Sequence, residues 1–459
     1  MSKETGSWAA HEFGQAGLGD ERRSERLVTM AKQRAMRPHA SIGQCCGGQA
    51  ETKAAYRWYD NEQIHWRQVV ASHSVRTAER VAKEKVVLAI QDTTEFDFTH
   101  RPGMAGRGPI SGHNCQGLLV HTTLAATPQR LPLGIVQLQM WTRPAKEGEE
   151  EPERKRPIGE KESNKWLLGL RATAQLAQSA PATLIVTVCD REGDVYDFFL
   201  EAHDLEQALL VRAAQNRLVD SPQRLLWQHV SMQPEAGTVT ITVPRQVERP
   251  ARQAVVSIRY CPVTLKPPKN RPKGEGLPEL ALWAVLAQEE KPPPGEEAIS
   301  WLLVTTVAVN DFEAACERVQ WYTCRWLVEM VHKVLKSGCL VEERQFDDIE
   351  NVKRYLALDS VVAWRVLFLV MVGREQPDLS CDAILEAHEW QALYCFHHKT
   401  RTPPALPPTL REATSWIAQL GGFLGRKHDG HPGVIVIWRG IQRLADIAAS
   451  WQIFSDSSP

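Results

Sequence analysis

The chain predicts an α/β fold: a mixed sheet covered by helices on both faces, with helical segments before and after it. Three observations carry that prediction. Val86-Val87-Leu88-Ala89-Ile90 and Leu184-Ile185-Val186-Thr187-Val188-Cys189 are short continuous apolar runs rich in β-branched residues, the pattern of buried strands. After residue 84 the order of patterns is three strands and then helix alternating with strand. The 459 residues, 43% of them hydrophobic and 24% charged, are those of an ordinary soluble protein long enough for two or three domains.

Taken in order, helical patterns fill roughly residues 8 to 83. Strands follow at 86 to 91, about 118 to 126 and 133 to 141. A helix near 161 to 178 leads to the strand ending at Cys189, a further helix covers about 194 to 206, and a strand follows at 209 to 213. From 214 to 300, alternation in Thr238–Val243, Ala254–Ile258 and Leu280–Leu286 predicts an inserted β-rich piece. Residues 301 to 306 form the strand that returns to the sheet. Tyr322 to Lys336 reads as one amphipathic helix, with Trp326, Leu327, Met330, Val331, Val334 and Leu335 opposite a mixed-charge face. The cluster Pro403-Pro-Ala-Leu-Pro-Pro408 is a linker to a helical tail. The expected divisions are 1–83, 84–372 and 373–459, with no internal repeat.

Two carboxylates end the apolar runs. Asp92 follows the first, where a strand leaves the core, and Asp190 follows the second, opening Asp190-Arg191-Glu192-Gly193-Asp194. An acid there equally begins a turn or caps a helix. On the later helix, Tyr322, Arg325, Glu329 and Lys336 are spaced three, four and seven apart, which stacks them on one helical face. Alone, such a stripe is a solvated face with ion pairs. Together, three carboxylates from two strand ends and one helix suit two divalent ions about 3.5–4 Å apart, as in-line phosphoryl transfer requires.

The segments Gln91-Asp92-Thr-Thr, Cys189-Asp190-Arg-Glu-Gly-Asp and Tyr322…Arg325…Glu329…Lys336 resemble the three signature regions of the bacterial DDE transposases of the insertion-sequence-four family. The resemblance runs along nearly the whole chain, through Leu18–Leu27, Ala55-Tyr56-Arg57, Glu160–Trp166, Val211-Arg212, Trp301-Leu-Leu, Gly421-Gly-Phe423 and Trp438; it is weakest from about 214 to 300. It implies a ribonuclease-H-like catalytic core with a helical N-terminal domain that binds transposon ends and a helical C-terminal dimerisation domain. It also implies Asp92, Asp190 and Glu329 as catalytic metal ligands for two Mg²⁺ ions, which Mn²⁺ would replace. The activity implied is cut-and-paste transposition, in which a nicked end forms a hairpin, is reopened and joins target DNA within a homodimer. The position matching Trp301 stacks on a flipped base in these relatives; here it equally suits a residue beginning a buried strand.

For the other stripe residues, charge suggests roles. Arg325 and Lys336 would hold phosphates on either side of the scissile bond, with Lys333 and Tyr322 adding contacts. Arg212 ends a strand, where it reaches DNA or caps the sheet. The net charge of -1 and pI of about 7.0 are not those of a bulk nucleic-acid binder, so basic charge has to be local. Residues 22 to 37 supply it: Arg22, Arg23, Arg26, Lys32, Arg34 and Arg37 against the single acid Glu25. Such a helical patch is a phosphate contact or a solvated face. A second basic group, Lys266, Lys269, Arg271 and Lys273, lies in a proline-rich loop, and five glutamates fill an acidic loop from Glu147 to Glu153. The ten cysteines contain no Cys-x-x-Cys and suggest reduced, mostly buried thiols; His428 and His431 lack further ligands for a metal. With no apolar run of about 20 residues and no signal-peptide core, a cytoplasmic, nucleoid-associated protein without membrane contact is expected. Two rivals stay open: a nuclease on the same fold without strand transfer, and a non-catalytic DNA-binding inhibitor.

Overall fold

The computed structural model describes residues 7–144, 156–243, 251–268, 276–426 and 430–455. The acidic stretch Glu147 to Glu153, the basic residues Lys269, Arg271 and Lys273, and His428 lie outside these residues. Helices α1 (Trp8–Phe13), α2 (Glu21–Met36), α3 (Ile42–Cys45), α4 (Gln49–Tyr59) and α5 (Trp66–Val81) precede the first strand. The Asp20 carboxylate caps α2 by accepting from the Arg22 N–H at 2.9 Å. Leu18, Leu27 and Met30 are buried.

Strands β1 (Val86–Asp97), β2 (Gly108–Pro109), β3 (Gln116–Ala126) and β4 (Pro132–Trp141) form an antiparallel group, and α6 (Asn164–Ser179) then leads into β5 (Leu184–Cys189). Helix α7 (Tyr196–Asp204) follows, then β6 (Ala208–Arg212) and α8 (Leu226–Ser231). Strands β7 (Gly237–Val243), β8 (Arg252–Leu265), β9 (Leu280–Glu289) and β10 (Ser300–Thr305) complete a ten-stranded sheet in the order β2-β3-β1-β5-β6-β10-β9-β8-β7, with β4 on the other side of β3. Among the described residues, the parallel pairings are β1 with β5 and β5 with β6. The inserted β-rich piece is therefore a continuation of the central sheet through β10, with α8 and α9 (Phe312–Thr323) packed against its strands.

Period-2 alternation assigns the two faces of the sheet. Leu88, Ile90, Val186, Val188 and Leu210 belong to a large core shared with α10 (Trp326–Lys333) and α11 (Ile349–Glu375). Cys189, Leu209 and Val211 pack with α6 and α7 on the opposite face. Both faces are buried, which is why the strands read as continuous apolar runs. Helix α6 lies close to β1 because residue 169 is glycine: a Cβ there would meet the Gln91 side chain at 2.4 Å.

Helix α11 is long and apolar enough to cross a membrane, with mean hydropathy 1.9 over its most apolar window. It is a core helix: 83% of that window is buried, and Asp359 within it pairs with Arg34 of α2 at 2.6 Å. The helix continues through the boundary expected after residue 372. The tail consists of α12 (Ala387–His398), α13 (Leu410–Leu420), which opens on a capping box at Thr409 and Glu412, and α14 (Val434–Ser455). Trp416, Ile417, Trp438 and Leu444 of the tail are buried within the chain's own core. Exposed large apolar residues of the tail include Phe396, Leu406, Leu424, Ile435, Ile453 and Phe454.

Candidate functional site

The first acid is not where a strand ends. Strand β1 runs on to Asp97, and Asp92 sits midway along it, paired in register with Thr122 of β3. The apolar run stops at Ile90 because the far half of the hairpin edges a site, not because the strand stops. Residue 92 shares the face of Leu88 and Ile90, so its carboxylate points toward α10. Asp190 lies one residue beyond β5 on the same face, and its Oδ1 accepts from the Glu192 N–H at 2.9 Å. Asp194 serves structure: it accepts from the Ala214 and Gln215 N–H groups and pairs with Arg217.

The stripe does not share one continuous α-helix. Tyr322 belongs to α9, Glu329 and Lys333 to α10, and Lys336 to a π-helical turn over Val334–Gly338. At Cys324 and Arg325 the backbone keeps helical angles but tightens, the Cys324 and Arg325 N–H groups each reaching three residues back. Spacing alone cannot register a tight turn followed by a wide one. Glu329 still faces the sheet, and Arg325 Nη1 pairs with Glu329 Oε1 at 2.6 Å.

Asp190 and Glu329 both bear on Asp92. Burial pushes the Asp92 carboxyl up to about 7; Arg325 opposes the rise, and the charges of Asp190 and Glu329 add to it. Arg325 is held above its ordinary value although burial disfavours its charge, because Glu329, Tyr322, Asp92 and Asp190 surround it. Among the described residues, no three His, Cys, Asp or Glu side chains converge closely enough to hold a metal ion as they stand. The donor set nevertheless fits hard divalent cations: these are carboxylate oxygens, one of them buried enough to be pushed up to about 7. Glu329 is paired with Arg325.

His332, missed in the sequence, sits three residues after Glu329 and is buried between the Asp92–Thr122 pair and α10. Its Nε2 meets Thr122 Oγ1 at 3.0 Å and its Nδ1 lies 3.8 Å from Asp92 Oδ2. Burial, with Lys336 adding, depresses this imidazole to about 3, so it is neutral. Its spacing from Glu329 was the available signal.

Beside the acids lies a cavity of about 240 Å³ whose wall includes Arg191, Arg212, Trp301, Tyr322, Arg325 and Trp326. The Trp301 and Tyr322 rings meet edge to face with centroids 5.1 Å apart. Trp301 begins β10, as one expectation had it, and its half-buried ring lines the cavity. Arg212 donates to the Ser300 carbonyl at 3.0 Å, and burial lowers its guanidinium from the ordinary value. Tyr322 is buried and its phenol correspondingly raised. Lys333 is exposed, and Lys336 lies 5.7 Å from the centre of the Phe96 ring. Trp326 and Arg191 were not singled out in the sequence.

The basic patch on α2 is smaller than its sequence suggests. Arg22 is exposed and Arg26 half-buried. Arg23 donates to the Leu18 carbonyl at 3.0 Å and also binds Gln63, so it holds its own loop. Arg34 is buried against Asp359, and Arg37 pairs with Asp446 of α14. Lys266 pairs with Asp220 at 2.9 Å.

Residues 5–64 match a transposase DNA-binding family model, and residues 361–454 match the dimerisation domain of the Tn5 transposase. These matches support a Tn5-like transposase acting on DNA, hence an enzyme of DNA phosphoryl transfer with DNA and a second copy of itself as partners. The matched segments precede and follow the strands in sequence, and Asp92, Asp190 and Glu329 fall between them.

Proposed function

We propose that the chain is a DDE transposase of the insertion-sequence-four family that excises an element by nicking and hairpin formation and joins its 3′-hydroxyl ends to target DNA. What supports the proposal is that Asp92 and Asp190 stand on the sheet face covered by α10, which carries Glu329, that the charge of Arg325 bears on all three, and that they fall in sequence between a DNA-binding and a dimerisation segment. The strand order β4-β3-β1-β5-β6, with the last three parallel, supports a ribonuclease-H-like core. Asp92, Asp190 and Glu329 would hold the two Mg²⁺ ions, which supply the Lewis acidity for in-line displacement at a phosphodiester.

The protein's own groups do the positioning. Arg325 and Lys336 hold phosphates flanking the scissile bond, and Lys333 offers a further exposed contact. Trp301, braced by Tyr322, presents an aromatic face to a base drawn out of the stack, with Arg212 at the cavity wall; unstacking costs a few kcal/mol, which such stacking offsets. Arg22 and Arg26 meet the duplex outside this region, with Arg23 holding their loop. The exposed tail residues Ile453 and Phe454 suit the contact between copies better than the buried Trp416 and Trp438. The protein would act in the bacterial cytoplasm, on the nucleoid.

The test uses a duplex carrying the inverted repeat that flanks the gene. Asp92→Asn, Asp190→Asn and Glu329→Gln should each fold and bind it while losing nicking, hairpin formation and strand transfer together, since one site serves all three. Cleavage retained in one variant removes that residue from the site; cleavage by the wild type without joining to target plasmid replaces transposition by simple nuclease activity.

A further inference from the structure

Arg325 has partners that do not match its position. It lines the cavity beside Arg212, Trp301 and Tyr322, where a phosphate would be gripped, yet its Nη1 is committed to Glu329 at 2.6 Å. Its Nε is buried and has no hydrogen-bond partner among the described residues, and its charge also bears on Asp92 and Asp190. A guanidinium is a rigid fork of five donors that fits a carboxylate and a phosphate equally well. The unpaired Nε donor shows that Glu329 does not satisfy it. Arg325 also forms part of the cavity wall, and that side of the guanidinium is where a second anion would approach.

From this geometry we infer that Arg325 is a latch on Glu329: it holds the third carboxylate away from Asp92 and Asp190 until a DNA phosphate takes the guanidinium. The inference rests on the transposase reading and adds a regulation of the same site. Arg325 and Glu329 are four residues apart on one helical path, so the exchange needs only side-chain torsions of Glu329 and no movement of the sheet. Before the exchange, a full positive charge beside the acids opposes an incoming cation. Afterwards the charge is spent on the phosphate and Glu329 is free. DNA therefore tightens divalent-ion binding, and by reciprocity the ions tighten DNA binding by the same factor. The consequence is that the site is completed only on its substrate, which protects other DNA from cutting by the free protein.

Mn²⁺ binding to the full-length, DNA-free chain, read by electron paramagnetic resonance, tests the latch. Arg325→Gln removes the charge and should tighten Mn²⁺ binding by about tenfold or more, the scale expected for a unit charge a few ångströms away in a partly buried site. Arg325→Lys, which keeps the charge, should stay near the wild type, and adding Glu329→Gln to Arg325→Gln should reverse the gain. Unchanged or weaker Mn²⁺ binding in Arg325→Gln overturns the latch. In a second arm, calorimetry with Ca²⁺ measures wild-type ion affinity with and without the inverted-repeat duplex; no change on adding a duplex that binds also overturns it, whether or not the variants fold. A duplex that fails to bind under every condition tells against the transposase reading, and the DNA-free Mn²⁺ arm then decides the latch alone.

Discussion

Replacing Asp92 by asparagine should make the protein more stable and inactive at once. The side chain is 17% exposed, and burial with the nearby charges raises its carboxyl from 3.8 to about 7. That is a shift of about three units at roughly 1.4 kcal/mol each, so ionised Asp92 costs the folded state on the order of 4 kcal/mol at most. The sign follows from the folded value lying above the unfolded one. Stability is full below about pH 4, falls as the unfolded chain alone loses the proton, and levels off above about pH 7. Asparagine keeps the shape and does not titrate. Asp92→Asn should therefore match the wild type near pH 4 and exceed it by up to about 4 kcal/mol at pH 8 in the absence of divalent ions. Urea unfolding followed by tryptophan fluorescence at several pH values measures the gap. A variant that loses stability with pH as steeply as the wild type, or is the weaker protein at pH 8, refutes the account of Asp92 as a crowded, destabilising carboxylate. Mg²⁺ should then stabilise the wild type at pH 8 and leave Asp92→Asn nearly unmoved.

Other perturbations probe how the flanking domains are attached. A Cβ at residue 338 would sit 1.6 Å from the Trp438 ring, so Gly338→Ala should cost about 1–3 kcal/mol by overpacking and make α14 sensitive to limited proteolysis; an unchanged digestion pattern would mean the π turn does not seat the tail. Arg34→Met leaves Asp359 charged and buried without its partner, and should cost about 3–5 kcal/mol in a melting experiment; a loss below about 1 kcal/mol would show that the pair does not couple α2 to α11. Replacing Arg22 and Arg26 with alanine should flatten the salt dependence of end binding by about 0.9 in logarithmic slope for each phosphate no longer neutralised. Replacing Arg23 should instead destabilise the α2 loop, and a gel-shift slope that does not move in the double variant would sink the assignment.

The strands and helices were largely legible because burial on both sheet faces writes continuous apolar runs and amphipathic helices into the sequence. Val86 to Ile90 and Leu184 to Cys189 are the inner parallel strands, and the three alternating segments of the insertion are β7, β8 and β9. What was not legible is where polarity and geometry part company. Strand β1 carries Gln91, Asp92, Thr93 and Thr94 in its middle, so an apolar pattern ends it six residues early. The tail's apolar stripe identified residues that need burial, but not whether the cover is the chain's own core or a second copy. Trp416 and Trp438 face the core; Ile453 and Phe454 are exposed at the surface of the chain.

At the site, the residue types were legible and their present partners were not. Helical spacing placed Arg325 and Glu329 on one face, where an ion pair is open to them, while their grouping with Asp92 and Asp190 came from the family resemblance. It could not say which contact wins in the absence of substrate. A buried guanidinium forms an ion pair with the nearest carboxylate because an unpaired charge there is costly. Here that carboxylate is Glu329. The same spacing that marks a catalytic stripe also permits it to satisfy itself. An unpartnered Nε alone does not set Arg325 apart, because Arg101, Arg318 and Arg374 each have one too; what sets it apart is its place in the cavity wall beside Arg212, Trp301 and Tyr322.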